Sequence, residues 1–366
     1  MLKSPTPFTF SLAGRSTFAP SGLHSRMIEE APRKLSFEHA GSDPDWAETL
    51  RAKLIELLGM PDERPAGSVV TAVGERVDCG THDRQEFIFE AEPGAEVPCV
   101  LLLPKNAKGP LPVMICLQGH TTGMHISLGE VMHDCDVEHI GGDRDFAIQA
   151  VNHGYAAIAM EQRAFGIRGD DRADCCRRTL DLPINDDNRT CKHPAMTALL
   201  LGRTLIGERV FDVIRACDAV AEFEVLDPER IHVMGNSGGG TIAWYAAALE
   251  PRLKGIIAAS CFGTVARSIG AIDHCTDNYI PGMLEWFDFP DIAAAIHDAK
   301  VLIVMGRNDP LFPYEGVQEA FARAEVIFEH LGKAGAIDLV IGEGGHRFYA
   351  DLAWPAFAAL PASRSP

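Results

Sequence analysis

The sequence predicts a doubly wound α/β domain whose sheet is mostly parallel. Three observations lead there: short apolar runs rich in β-formers recur along the chain, segments of helical periodicity separate the later runs, and no run approaches the roughly 20 apolar residues that span a bilayer. The chain has 366 residues, 46% hydrophobic and 23% charged, which is enough for a full core and too ordinary a charge content for disorder. Its 33 Lys and Arg stand against 51 Asp and Glu, a formal charge of −18. With no long basic run, a nucleic-acid partner is not expected, because that affinity comes from clustered cations displacing counterions. No membrane partner is expected either.

Each element can be justified in chain order. Residues 1–44 mix Pro, Ser, Gly and charges without a sustained period and end in Gly41-Ser42-Asp43-Pro44, so they read as a mobile arm that could pack on a second copy of the chain. Trp46, Leu50, Leu54, Leu57 and Leu58 then recur at helical spacing, with Asp45 able to cap and Gly59 with Pro61 stopping the run; this predicts an amphipathic helix over 45–58. Extended segments follow near 68–78, 85–91 and 97–103, then apolar runs at Val113 to Leu117, Ala156 to Met160, Ile231 to Met234, Gly255 to Ala259, Val301 to Met305 and Asp338 to Ile341. Buried parallel strands preceded by antiparallel ones give this pattern. The chain therefore divides into an arm and helix, residues 1–60, and a main domain, 61–366, with a loop or lid insertion at about 166–203 over the sheet's carboxyl edge.

Met1 to Met27 lacks the apolar core of a secretion signal. The ten cysteines show no CxxC spacing and read as mostly reduced thiols of a cytoplasmic protein. Cys175-Cys176, adjacent and Arg-flanked, reads as a pair of ordinary thiols rather than a redox couple.

The chemistry concentrates at Gly235-Asn236-Ser237-Gly238-Gly239, a G-x-S-x-G pattern between a predicted strand and a predicted helix. Glycines there allow the sharp turn that exposes a serine hydroxyl at a helix N-terminus. A serine needs a base, and the base needs an acid to fix its tautomer. Asp309 follows the strand Val301 to Met305, and His346 lies in the glycine-rich loop after Asp338 to Ile341, so the order Ser, Asp, His is complete. Donors for an oxyanion are expected from the backbone amides of Gly238 and His120, with Thr121 as the alternative to His120. His120 is not read as a metal ligand, since no His-x-His or carboxylate partner is spaced for it, and no metal is expected. Arg163, after the strand Ala156 to Met160, either orients substrate or pairs with Glu161 or Asp170. Asp273, His274 and Tyr279 either line the pocket or form a structural polar network.

From Trp46 to Phe357 the chain resembles the α/β-hydrolase fold and, within it, the esterases grouped with dienelactone hydrolases and acetyl xylan esterases. Gln118-Gly119-His120, the Ser237 turn, Asn308-Asp309-Pro310 and Gly345-His346-Arg347-Phe348 carry the resemblance, and His274 to Gly282 resembles the acetyl xylan esterase subgroup. The resemblance implies a cofactor-free serine esterase acting on a small-molecule or oligosaccharide ester. Gln118 stands where many relatives carry histidine, and serine rather than cysteine at 237 disfavours dienelactone as substrate. Two other readings compete. A peptidase of the same fold would bring a large N-terminal propeller, for which fewer than 70 residues precede the first strand. A non-catalytic binding module would have lost a triad member, and none is missing.

Overall fold

The computed structural model describes residues 20–61, 64–105, 107–169 and 191–361. Among these, nine strands make one sheet: β1 Val70–Asp78, β2 His82–Glu90, β3 Glu96–Pro104, β4 Leu111–Leu117, β5 Ala156–Met160, β6 Leu226–Asn236, β7 Leu253–Ala259, β8 Lys300–Gly306 and β9 Ile337–Gly342. Every strand expected from the sequence is present. The order across the sheet is β1-β2-β3-β5-β4-β6-β7-β8-β9. The first three strands are antiparallel and β3 pairs antiparallel with β5; from β5 to β9 all neighbours are parallel.

Alternation along β4 shows why the sheet is covered on both faces. Val113, Ile115 and Leu117 pack with Val210, Ala243 and Trp244 of the helices Leu205–Val220 and Gly238–Leu249. Met114 and Cys116 point the other way, toward Phe146, Trp354 and Phe357 of Phe146–Asn152 and Ala350–Ala359. From β4 the chain crosses to β5 on one side and later returns to β6 on the other. A crevice forms at such a reversal, outside the carboxyl ends of β4 and β6.

The expected amphipathic helix is Trp46–Leu58, burying Trp46, Leu50, Leu54 and Leu58 and ending at Gly59 with φ 61°. The arm is a correction. Residues 20–44 are not an irregular extension: Ser21–Glu29 is helical, and Arg33, Lys34 and Leu35 donate backbone hydrogen bonds to Leu284, Glu285 and Trp286 of the same chain. Arg33 also faces Asp288 at 3.6 Å, and the Trp46 indole donates to Leu35 O at 2.8 Å. This part of the arm is thus fastened to its own domain. Residues 1–19 and most of the expected lid, 170–190 with Cys175 and Cys176, lie outside the described residues; the lid's flanks are a short turn at Gly166–Arg168 and the helix Lys192–Leu200.

Candidate active site

Ser237 joins β6 to the helix Gly238–Leu249 with φ 55° and ψ −123°. A non-glycine residue in that region costs on the order of 1–3 kcal/mol and persists only where its surroundings impose it. Here they do. Ser237 N donates to Ala259 O at 2.8 Å, and every residue of the following helix is buried. Two glycines permit the packing: a Cβ on Gly239 would lie 2.3 Å from Leu117 O, and one on Gly119 would lie 2.8 Å from Ser237 Cβ. The loop after β4 is therefore pressed against the serine turn, which places the His120 segment beside Ser237 and Gly238.

Asp309 follows β8 and is buried. Its Oδ1 accepts the backbone N–H of Leu311 at 2.9 Å and of Phe312 at 3.3 Å, while Oδ2 lies 2.8 Å from His346 Nδ1. Three contacts thus fix both carboxylate oxygens, and among the described residues the imidazole is left with Nε2 as the nitrogen not engaged by Asp309. Arg144 Nη2 donates to His346 O at 2.9 Å and holds the loop that carries the ring. Ser237, His346, His120, Thr121, Glu161 and His274 share the wall of one cavity of about 1360 Å³. The crevice predicted by the strand order is thus where the serine, the histidine and the expected oxyanion loop meet.

The family model for acetyl xylan esterases (AXE1) matches residues 75–310, well over half of the chain. The chain belongs to the acetyl xylan esterase family. It is a carboxylic ester hydrolase. YtaP of Bacillus subtilis (strain 168), a protein named as a hydrolase, is 23% identical over 301 residues, covering 81% of this chain and 92% of its own. Among solved structures, one from Bacteroides fragilis NCTC 9343 described as an acetyl xylan esterase aligns with a TM-score of 0.73 at 17% identity, over 94% of this chain and 96% of that one. The acetyl xylan esterase from Paenibacillus sp. R4 aligns with a TM-score of 0.58 at 18% identity, over 92% and 99%. These structural likenesses establish the α/β-hydrolase fold.

The structure separates the other expected residues of this esterase. His274 is buried on the cavity wall, with Nε2 2.9 Å from Ser268 Oγ and 3.1 Å from Leu311 O, so it joins the cavity through a polar network. Tyr279 is exposed and donates to Ile269 O at 3.2 Å; it is not among the residues lining the cavity. Arg163 is not on the cavity wall either. Its Nε and Nη2 donate to Asp212, and Nη1 pairs with Glu92 at 2.7 Å; these are not the Glu161 considered for it, and Asp170 lies outside the described residues.

Sequence reasoning noticed this segment but passed over its acid and amide. Glu161 accepts from Met124 N at 3.1 Å and Ile167 N at 3.4 Å, tying the loop after β4 to the base of the insertion. Burial pushes its carboxyl up to about 7, against the lowering effect of those two N–H groups and Arg168. Gln162 donates to Gln118 O, the residue before Gly119. A polar pair just past a buried strand was the available signal.

His120 has neighbours that the sequence did not suggest. Its Nε2 is 3.3 Å from Asp277 Oδ2 and 3.2 Å from Cys191 Sγ, and its ring meets the edge of Phe165 at 4.9 Å. Asp277 also pairs with buried Arg209. Although burial opposes it, His120 and Arg209 together hold the Asp277 carboxyl well below the usual carboxylate range.

Proposed function

We propose that the protein removes short acyl groups, acetyl first among them, from sugars or other hydroxylated compounds through a Ser237-His346-Asp309 triad. The observation carrying this reading is the strained Ser237 turn at the mouth of β6, facing the same cavity as a histidine whose Nδ1 is held by a buried carboxylate. His346 Nε2 takes the hydroxyl proton as Ser237 Oγ bonds to the ester carbonyl carbon. Asp309 stabilises the imidazolium that results. The N–H groups of Gly238 and His120 donate to the oxyanion of the tetrahedral intermediate. Collapse breaks the ester bond, and the leaving alcohol takes the proton back from His346. Water then repeats the sequence on the acyl-serine, regenerating Ser237 and releasing the carboxylic acid.

The acetyl preference draws on the family and on the cavity's histidine-rich wall, which offers hydrogen-bond partners to a hydroxylated alcohol. Fluorophosphonate labelling mapped by mass spectrometry, run beside hydrolysis of acetylated xylo-oligosaccharide, tests the mechanism. The adduct is expected on Ser237 and to be absent from Ser237→Ala. An adduct elsewhere, or retained turnover in that variant, removes the serine mechanism.

A further inference from the structure

We propose that His120, Cys191, Cys275 and Asp277 bind one divalent transition-metal ion of the zinc class, a site that pins the walls of the cavity together. One ligand atom from each of these four side chains lies within 4.8 Å of all the others, and three of the four residues are buried. Two thiolates, an imidazole and a carboxylate form a soft, nitrogen- and sulfur-rich donor set that favours zinc over calcium or magnesium. With metal–ligand bonds of about 2.0–2.3 Å, a tetrahedral site has edges of about 3.3–3.8 Å. The separations of His120 Nε2 from Asp277 Oδ2, 3.3 Å, and from Cys191 Sγ, 3.2 Å, are close to such edges, whereas the two sulfurs touch and have to move apart to hold an ion.

Two further observations point to a ligand. Asp277 is buried, yet among the described residues only its Oδ2 is paired, with His120 and Arg209, and its Oδ1 has no hydrogen-bond partner, an arrangement that is costly for a carboxylate unless something occupies it. The charges also close: two thiolates and one carboxylate are neutralised by a divalent ion together with the Arg209 guanidinium that pairs with Asp277. Ala164, Phe165, Ala195 and Leu205 pack with the two cysteines as an apolar shell, which shields thiolate–metal bonds from water. Binding releases the two thiol protons to solvent, with no electron transferred.

The ligands come from three segments: the loop after β4, the residue before the helix Lys192–Leu200, and the turn around Thr276–Asn278. Four protein ligands leave no open position, so the ion acts as a staple and not as a Lewis acid. By holding the His120 side chain, it would fix the backbone whose amide is the proposed oxyanion donor. This proposal departs from the expectation of a metal-free protein, which rested on ligand spacing along the chain.

The rival arrangement is the one the structure itself draws, a Cys191–Cys275 disulfide. Their Cα atoms are 7.5 Å apart, beyond the roughly 4.4–6.8 Å that disulfides usually span. The test uses the full chain purified without chelator under a thiol reductant, with metal measured by elemental mass spectrometry. About one zinc per chain is expected, falling to near zero in a Cys191→Ser/Cys275→Ser variant. Asp277→Asn should weaken zinc binding by about tenfold or more. Replacing zinc with cobalt(II) in the unmutated protein should give sulfur-to-cobalt charge-transfer bands and intense tetrahedral visible bands, a readout that needs neither a variant nor activity. The proposal is overturned if the reduced, zinc-loaded protein holds no stoichiometric metal, if the double serine variant keeps it, or if peptide mapping of that protein shows Cys191 linked to Cys275.

Discussion

Replacing Glu161 by glutamine should make the esterase more stable at alkaline pH, although it removes a carboxylate that accepts two backbone hydrogen bonds. Glu161 is 3% exposed, and burial lifts its carboxyl from 4.5 to about 7 in the folded chain. Between those values the folded protein holds a proton that the unfolded chain has already lost. Its stabilising contribution is therefore complete below about pH 4.5 and is lost as pH rises through 7. The interval corresponds to about 3 kcal/mol. Glutamine carries no charge to bury, but it accepts less strongly from Met124 N and Ile167 N, a loss of about 1 kcal/mol. The net gain at pH 8 is about 2 kcal/mol. For a chain of 366 residues the unfolding entropy is roughly 770 cal/mol/K, so Tm should rise by about 3 °C at pH 8 and change little at pH 5. Thermal scans of both proteins across this range decide it. Parallel Tm–pH curves would show that Glu161 does not titrate in that window, and the argument from burial would fail.

Three other perturbations follow from the site. Asp309→Asn should leave Tm nearly unchanged and lower kcat by about 10⁴, as in comparable triads, because His346 loses the acceptor that fixes its tautomer; near-normal turnover would move the acid's role to another carboxylate. Gly239→Ala should destabilise the fold by about 3 kcal/mol in urea titrations, since its Cβ would sit 2.3 Å from a backbone oxygen of β4 that cannot give way. Across p-nitrophenyl acetate, butyrate and octanoate, kcat/KM should fall with chain length, because displacing the packed His274–Cys275 wall costs more than the burial of each added CH₂, about 0.8 kcal/mol, returns; a rise through octanoate would show an open acyl site.

The strands were legible because burial on both faces leaves a local signature, as in Val301 to Met305, where every residue is apolar and buried. Ser237, Asp309 and His346 were legible for a related reason. Each follows a strand, and a parallel sheet delivers all its strand ends to one edge, so locating the strands brought the three residues together. Residues 20–44 lacked any such signature. Their order rests on backbone pairing between 33–35 and 284–286, which leaves no periodicity in either segment.

The same physics separates what the cavity's floor and walls reveal. Reading Arg163 as a possible substrate anchor follows from its place as a cation near a strand end. Yet a guanidinium with Glu92, Glu208 and Asp212 within reach is drawn into that ion cluster, whereas the neighbouring carboxylate is turned toward the N–H groups of two loops. Which of these two residues faces the site is set by partners that, Ile167 apart, lie 37 or more residues away, and spacing along the chain does not encode them. The four side chains around His120 make the case stronger, since Cys191 and Cys275 are 84 residues apart in sequence and form no local motif. Reaction class resides on strand ends and can be read from sequence; the shape that selects a substrate resides in loops held by long-range contacts, and so required the structure.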